Sequence, residues 1–134
     1  VRIDMIVRGI CCLRAGVPDE TENIHIISIV GRYLEHSRIY IFGQGERARY
    51  YIGSADWMTR STLRRVEIAA PVTAPALKAR LQHIFDTMLA DNCNARVQQP
   101  DGSYVRRMPG ADAVDCQAQF YEEAYQANVH SSLK

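Results

Sequence analysis

The sequence predicts one α/β domain over residues 1–134, in which helices flank a mixed sheet. Three observations carry this prediction. The run Val1–Val7 is mostly apolar, with Ile3, Met5 and Val7 at alternate positions, which is typical of a strand. Two runs rich in Ile and Tyr, Arg38–Phe42 and Ala48–Ile52, are separated by a glycine-containing turn and predict a hairpin. The run Pro75–Ala90 has apolar residues at helical spacing and a proline at its first position, which is the clearest helical pattern of the sequence.

Shorter patterns predict the elements between these three. Apolar residues recur at three- and four-residue spacing after Ile24, so we expect a short strand at Ile24–Ile26 and a helix from about Ser28 to Glu35. A short extended piece is expected at Ile10–Leu13. A further strand is expected at Val66–Ala69, which Pro71 would stop.

The last third of the chain predicts a hairpin and a helix. Ala95–Gln98 and Tyr104–Arg106 flank the turn signal Pro100–Gly102, and Asp112–Ala127 is expected to be helical. Apolar residues on one side of the two long helices are expected to contact the core. They are Leu77, Leu81, Ile84, Phe85, Met88, Leu89, Val114, Phe120, Ala124 and Tyr125.

Composition excludes few functions. The chain has 16 basic and 15 acidic residues, a net charge of +1, which gives no argument for nucleic acid or membrane binding. It starts at Val1, without Met and inside a strand-like run, which we interpret as a piece of a longer protein.

The cysteines of the chain are not spaced as metal ligands are. The adjacent pair Cys11 and Cys12 is expected to be buried and reduced, as in a cytoplasmic protein.

Three short segments carry side chains suited to phosphate chemistry. His36 can transfer a proton or attack phosphorus, and Arg38, two residues on, offers a planar fork for phosphate oxygens. Gly53–Asp56 follows a strand, where Ser54 can bind a phosphate and Asp56 can orient a histidine or an arginine. Arg8 stands at the end of the first strand. Each segment alone also fits a structural role, but if the strands share one sheet, the groups can converge at one edge.

The spacing of two of these segments resembles a half-site of the phospholipase D superfamily. That pattern is His-x-Lys followed by Gly-Ser-x-Asn, and here Arg38 and Asp56 stand in the Lys and Asn positions. Longer stretches resemble the bacterial polyphosphate kinases of type 1, in the same order and spacing. These are Ile6–Cys11, Ser28–Tyr40, Gly53–Arg60 and Arg64–Glu67. We therefore interpret the chain as the C-terminal catalytic domain of such an enzyme, with a phospholipase D-like half-domain fold.

The resemblance implies reversible transfer of the terminal phosphate of ATP to inorganic polyphosphate. It implies that Arg8, His36, Arg38 and Ser54 bind phosphate and that His36 is the catalytic residue of this domain. The phosphorylated histidine, the adenine pocket and most Mg²⁺ ligands would lie in an upstream domain, so the isolated chain is expected to be inactive. Expected partners are ATP or ADP, polyphosphate, the upstream domains and further copies of the enzyme, without nucleic acid. The expected location is the cytoplasm, with a peripheral position at the inner membrane as an alternative.

Two other functions stay open on the residues alone. The chain could be a phospholipase D-like phosphodiesterase half-domain that dimerises to pair two copies of His36, or a non-catalytic assembly module.

The segment Ser61–Leu63 departs from the family pattern, which has Asn and then Asp there. Trp57 is expected to pack beside the motif rather than to stack on a base. No metal is assigned to His25, His83 or His130.

Overall fold

A computed structural model describes residues 1–131, with side chains described up to Val129. The chain divides into two compact units, one made of Val1–Leu34 with the chain from Thr87 onwards, the other of Glu35–Asp86. We call them the first and second units. The expectation of one domain over 1–134 stays a prediction. In chain order the elements are β1 (Ile3–Val7), β2 (Ile24–Ile29), β3 (Ile39–Phe42), a 3₁₀ turn (Gly45–Arg47), β4 (Arg49–Gly53), α1 (Thr59–Leu63), β5 (Ala69–Val72), α2 (Pro75–Ala90), β6 (Ala95–Gln98), β7 (Tyr104–Arg106) and α3 (Cys116–Ser131).

The first unit is built on a four-stranded sheet in the order β1-β2-β6-β7. β1 and β2 are parallel, and the other neighbours are antiparallel, so the sheet is mixed. This confirms the predicted fold class. Four consecutive residues of β2, Ile26, Ile27, Ser28 and Ile29, are buried, which places the core of this unit on both faces of its central strand.

The second unit is built on a three-stranded antiparallel sheet in the order β3-β4-β5. Tyr50 faces α2, where its hydroxyl lies 2.7 Å from Gln82 Oε1 and the ammonium of Lys78 lies 5.8 Å from its ring centroid. Successive strand residues point to opposite faces, so Tyr51 and its partner Tyr40 occupy the face opposite α2. The sheet therefore has one helix-covered face and one aromatic face.

The predicted helix from Ser28 to Glu35 is wrong. β2 continues to Ile29, and residues 30–38 form neither helix nor strand. A strand buried on both faces carries apolar residues on both sides, and over a short run this resembles helical spacing. The supposed cap Ser28 instead donates its hydroxyl to Gly9 O at 2.6 Å.

The predicted strand at Val66–Ala69 lies three residues too early. β5 runs over Ala69–Val72 and includes Pro71, which pairs with Tyr51. Because β5 is an edge strand, the missing N–H of proline can point away from the ladder. Val66 lies outside the strand and is exposed.

The remaining predictions are confirmed in part. β6, β7 and α2 have the predicted bounds, and the hairpin at Ala95–Arg106 forms. The last helix begins at Cys116, four residues later than expected, because Asp115 Oδ1 accepts the N–H of Ala118 and so caps it. Leu77, Ala124 and Tyr125, predicted to be core residues, are exposed.

Two further expectations about the first unit fail. The piece Ile10–Leu13 forms no strand, and Cys12, expected to be buried, is exposed. Between residues 1 and 131, no helix is long and apolar enough to cross a bilayer.

Candidate functional site

His36, Arg38, Ser54 and Asp56 lie at one edge of the three-stranded sheet. His36 and Arg38 precede β3, while Ser54 and Asp56 follow β4. Because the two strands are antiparallel, the start of one meets the end of the other, and Gly53 N donates to Arg38 O at 3.0 Å. The sequence placed His36 after a helix and beside Arg38 on a strand. Instead, both residues belong to the irregular segment before β3.

Arg38 is the centre of this cluster. Its Nε and Nη2 both donate to Asp56 Oδ1, at 3.0 and 2.8 Å. Only 16% of the Arg38 side chain is exposed, so the pair is partly shielded from water. This confirms that Asp56 orients an arginine, one of the two roles that the sequence left open.

The other side of the Arg38 guanidinium faces His36. Nη1 lies 3.1 Å from His36 Nδ1, and Nη2 lies 3.2 Å from His36 Nε2. An arginine only donates, and a neutral imidazole has a single acceptor nitrogen. One of the two contacts is therefore a hydrogen bond at most. The arrangement orients the ring of His36, which is exposed and accessible to a ligand.

A second arginine lies near the same carboxylate. Arg60 Nη2, from α1, lies 3.6 Å from Asp56 Oδ2, and 55% of the Arg60 side chain is exposed. The hydrogen bonds from Arg38 are the main cause that holds the pKa of Asp56 below its ordinary value. Burial opposes them, and the charges of Arg38, Arg60 and His36 act in the same direction as the hydrogen bonds. Asp56 is thus a carboxylate that positions Arg38 at the sheet edge and attracts a second cation, Arg60.

Ser54 is already engaged on both sides of its hydroxyl. Its Oγ donates to Glu67 Oε2 at 2.5 Å and accepts the N–H of Ile68 at 3.0 Å. Its own N–H donates to Ile68 O at 2.9 Å. These contacts join the end of β4 to the segment before β5. A phosphate at Ser54 would have to replace the hydrogen bond to Glu67.

Tyr40 supports the loop that carries Asp56, although no sequence pattern singles this tyrosine out. Its hydroxyl donates to Ala55 O at 3.0 Å. Its ring packs over Gly53, where an added Cβ would lie 2.8 Å from Tyr40 Cε2. Trp57 meets the same ring edge-on, with centroids 6.1 Å apart. Trp57 therefore does pack beside the motif, although it is 79% exposed. A sequence pattern could have indicated only that Tyr40 shares a strand face with Arg38.

Arg8 belongs to a different sheet from these residues. It follows β1 of the four-stranded sheet, at the carboxyl edge of the parallel pair β1 and β2, and it is exposed. The condition that the strands of all the candidate groups share one sheet is therefore not met. The chain forms two sheets because β4 pairs with β3 and with β5 within the second unit. A role for Arg8 in binding phosphate stays a prediction.

A glutamine of the first unit makes two hydrogen bonds to the backbone of the segment that leads to His36. Gln117 accepts the N–H of Tyr33 and donates to Tyr33 O, each at 2.8 Å, and it is 7% exposed. Nearer the site, the N–H of Ser37 donates to Glu35 Oε1 at 2.9 Å. Hydrogen bonds thus replace the predicted helix as the support of this segment.

The described part of the chain offers no cluster of side chains that would hold a metal ion by itself. Within residues 1–131, no three His, Cys, Asp or Glu side chains lie together as metal ligands. Asp56, the carboxylate that pairs with Arg38, has its oxygens directed to Arg38 and Arg60. We derive no step through a metal bound by this chain. The side chain of His130 lies outside the described part.

Comparison with known proteins identifies the family. Residues 1–119 match the family model described as polyphosphate kinase C-terminal domain 2. The chain belongs to the polyphosphate kinase family. A polyphosphate kinase of Synechocystis sp. is 57% identical over 111 residues, and one of Bacillus anthracis is 47% identical over 127 residues. These alignments cover 83% and 94% of this chain, but only 15% and 18% of the relatives.

A solved polyphosphate kinase supports the same assignment at the level of the fold. The crystal structure of the Porphyromonas gingivalis enzyme matches with a TM-score of 0.82 at 38% sequence identity. The match covers 95% of this chain and 20% of that enzyme. The chain thus corresponds to a small part of a polyphosphate kinase, and the residue cluster around Arg38 lies within the family match.

Proposed function

We propose that this chain is the C-terminal part of a polyphosphate kinase that moves the terminal phosphate of ATP onto the end of inorganic polyphosphate, releasing ADP, and also catalyses the reverse. The observation that carries this proposal is the cluster of His36, Arg38, Asp56 and Arg60 in a chain of the polyphosphate kinase family. One exposed imidazole beside an oriented guanidinium group, with the cation Arg60 near the same carboxylate, suits a phosphate in transfer, because charge stabilisation supplies most of the catalysis of phosphoryl transfer.

Each residue has a defined role in this proposal. His36 binds the transferred phosphate or exchanges a proton with it, and Arg38 contacts its oxygens while holding the imidazole. Arg8 binds the phosphates of the nucleotide. Ser54 contributes a hydroxyl once its bond to Glu67 is exchanged for a phosphate oxygen. The histidine that is phosphorylated lies in the upstream part of the enzyme, outside these 134 residues.

The proposal extends to the partners of the chain. ATP, ADP and polyphosphate are the substrates, and Mg²⁺ is held mainly by the upstream part of the enzyme. The upstream domains complete the active site, and the whole enzyme assembles as a homo-oligomer. It functions in the cytoplasm, with attachment to the inner membrane as an alternative.

The other two functions have less support. The relatives reported above are named polyphosphate kinases, which favours a kinase over a phosphodiesterase or an assembly module. The Arg38–Asp56 ion pair also differs from the Lys and Asn of the phospholipase D pattern, so the half-site has a different charge arrangement.

The test uses ATP labelled at the γ-phosphate. The chain is incubated with it alone, and then together with the separately produced upstream part of the enzyme. We expect labelled polyphosphate only in the mixture, and its loss when His36→Ala replaces the wild-type chain. His25→Ala is the matched control, because His25 is also exposed but lies in β2, next to Asp4 at 3.8 Å.

Two outcomes would overturn the proposal. Label that becomes attached to His36 in the chain alone would make this histidine a nucleophile in its own right and would favour the phosphodiesterase function. Synthesis in the mixture at an equal rate with His36→Ala and wild-type chains would remove His36 from the chemistry. A separate variant tests the role of Arg8. If Arg8 binds the phosphates of the nucleotide, Arg8→Ala should raise the KM for ATP. Arg47→Ala, which changes another exposed arginine, should leave this KM unchanged.

A further inference from the structure

The backbone that follows Arg8 is held by polar side chains from distant parts of the first unit. Residues 8–15, which we call the Arg8 loop, come directly after β1 and form neither helix nor strand. Gly9 turns the chain next to Arg8, with a φ of 91° that favours glycine. Backbone groups in irregular segments need partners outside a regular ladder. The position of Arg8 therefore depends on the side chains that bind this loop.

The first of these side chains is Ser28, in the buried strand β2. Its hydroxyl donates to Gly9 O at 2.6 Å, and the residue is only 3% exposed. Because β1 and β2 are parallel and Ser28 pairs with Val7, β2 brings this hydroxyl to the carboxyl end of β1. A hydroxyl and a carbonyl that are removed from water are costly to leave unpaired. Ser28 thus fixes the turn next to Arg8.

Gln98 and Tyr104, which pair across the hairpin of β6 and β7, hold the next part of the loop. Gln98 Nε2 donates to Cys11 O at 3.3 Å and to Tyr104 Oη at 3.1 Å. Gln98 Oε1 accepts the N–H of Ala15 at 2.9 Å. Tyr104 Oη also accepts the N–H of Cys11, at 3.0 Å. Both N–H groups and the oxygen of the Gln98 amide are therefore used, three of these four bonds reach the loop, and Gln98 is 6% exposed.

We propose that Ser28, Gln98 and Tyr104 are positioning residues for Arg8. They act through the backbone of the Arg8 loop, which they bind at Gly9, at Cys11 and at its end. This rests on the proposed function, in which Arg8 binds the phosphates of the nucleotide. A guanidinium makes paired hydrogen bonds to phosphate oxygens only in a defined geometry. A displacement of about 1 Å can cost on the order of 100-fold in activity, so a loop that carries such a group has to be fixed.

A contribution to stability alone would have a different kinetic effect. Removal of a group that binds the nucleotide raises the KM for ATP and leaves kcat unchanged. Loss of folded protein lowers the apparent kcat, because fewer active molecules are present, and leaves KM unchanged. The two kinetic constants therefore distinguish a displaced Arg8 from a weakened first unit.

Steady-state kinetics of the complete polyphosphate kinase that contains this chain provide the test. Gln98→Met keeps the length of the side chain without its amide, and we expect the KM for ATP to rise about tenfold at unchanged kcat. Tyr104→Phe and Ser28→Ala each remove one hydroxyl, and we expect a rise of about threefold. Gln119→Met and Tyr121→Phe are the matched controls, because both residues are exposed in α3, and their KM should equal that of the wild type.

Each variant is then combined with Arg8→Ala. If Gln98 acts through Arg8, Gln98→Met should add nothing to the KM of Arg8→Ala, since the group that it positions is gone. The same is expected of Tyr104→Phe. Circular dichroism checks that the variants are folded. Should Gln98→Met not fold, Tyr104→Phe carries the same test, because it removes a single oxygen atom.

The outcomes separate this inference from the proposed function. If Arg8→Ala raises the KM but the Gln98 and Tyr104 variants do not, the positioning role is overturned and the phosphate role of Arg8 stands. A rise in KM that persists in full in the Arg8→Ala background, or a lower kcat at constant KM, would also overturn the positioning role. If Arg8→Ala itself leaves the KM unchanged, the proposed role of Arg8 fails, and the inference fails with it.

Discussion

Arg38 and Asp56 are paired at the edge of the three-stranded sheet, with Nε and Nη2 of the arginine 3.0 and 2.8 Å from a single carboxylate oxygen. These are the two positions at which the sequence departs from the phospholipase D half-site, where Lys and Asn stand. The departures are complementary in charge and geometry. A lysine would offer one ammonium in place of a fork, and an asparagine would not balance its charge.

A double-mutant cycle tests this pairing. Arg38→Lys and Asp56→Asn should each weaken tripolyphosphate binding about tenfold, because each removes charge-assisted hydrogen bonds that orient the cluster. The double variant should bind more tightly than the two losses predict together, with a coupling of about 1 kcal/mol or more. Calorimetric titration gives the affinities.

The exposed pair Arg2 and Asp4 supplies the matched control cycle. Its atoms lie 2.9 Å apart, and 67% of the Arg2 side chain is exposed. Arg2→Lys with Asp4→Asn should leave phosphate binding unchanged, since exposed ion pairs contribute little. If the losses of binding free energy in Arg38→Lys and Asp56→Asn simply add in the double variant, the two side chains act independently. Their pairing would then have no role in phosphate binding.

Gly53→Ala tests the packing that supports the site. Its Cβ would lie 2.8 Å from Tyr40 Cε2, so the ring must move and its bond to Ala55 O must stretch. We expect a loss of about 1–3 kcal/mol in the free energy of unfolding, measured with urea, and an altered Trp57 emission. Gly110→Ala is the control, since nothing lies within 4 Å of a Cβ there. Equal stabilities of the two variants would contradict this role of Tyr40.

Much of the site could be predicted from short patterns, because each depends on local chemistry. The hairpin of β3 and β4 follows from two runs of β-branched and aromatic residues around a turn, and it alone brings Arg38 next to Gly53. The resemblance to polyphosphate kinases added the identity of the family, which the comparisons confirm. Neither source predicted Arg60, whose position depends on α1, a helix of five residues.

The predictions from sequence failed where contacts between distant parts of the chain determine the conformation. The segment after Ile29 carries apolar residues at helical spacing, yet Val30 and Leu34 are exposed, and Gln117 fixes the backbone of Tyr33 from far along the chain. No local pattern contains a partner separated by 84 residues. Likewise, the division into two sheets depends on which strands pair, so the position of Arg8 in a different sheet from His36 was not predictable from strand ends.

Asp91 is predicted to make the first unit sensitive to acid. It is fully buried, and its carboxylate accepts the N–H groups of Asn94, Ala95 and Cys116 at 2.7–3.0 Å. Burial raises the pKa of Asp91, but the hydrogen bonds outweigh it, and the pKa lies below its ordinary value. Because the folded pKa is lowered, this stabilisation is present above the unfolded value of about 3.9 and is lost as the pH falls through the folded value.

Urea unfolding at several pH values measures this effect. Asp91→Ala should lower the free energy of unfolding by about 3 kcal/mol at neutral pH, because buried N–H donors lose their acceptor. The free energy of unfolding of Asp91→Ala should also decrease less than that of the wild type as the pH is lowered. Asp112→Ala is the control, since Asp112 is exposed and uses only its backbone carbonyl, which accepts from Asn92. An acid profile identical to wild type in Asp91→Ala would refute the assignment.

Gln117 should control the segment that leads to His36, and Gly31 provides a way to show it. The Gln117 side chain lies so close to Gly31 that an added Cβ would collide with it. Gly31→Ala should therefore cost about 1–3 kcal/mol in the wild-type background and much less in Gln117→Ala, where the colliding atoms are absent. Amide exchange at Tyr33 should be slowest in wild type, faster in Gln117→Glu, which keeps the acceptor alone, and fastest in Gln117→Ala. If Gly31→Ala is equally costly in both backgrounds, the glycine is needed for its backbone, and Gln117 does not determine this segment.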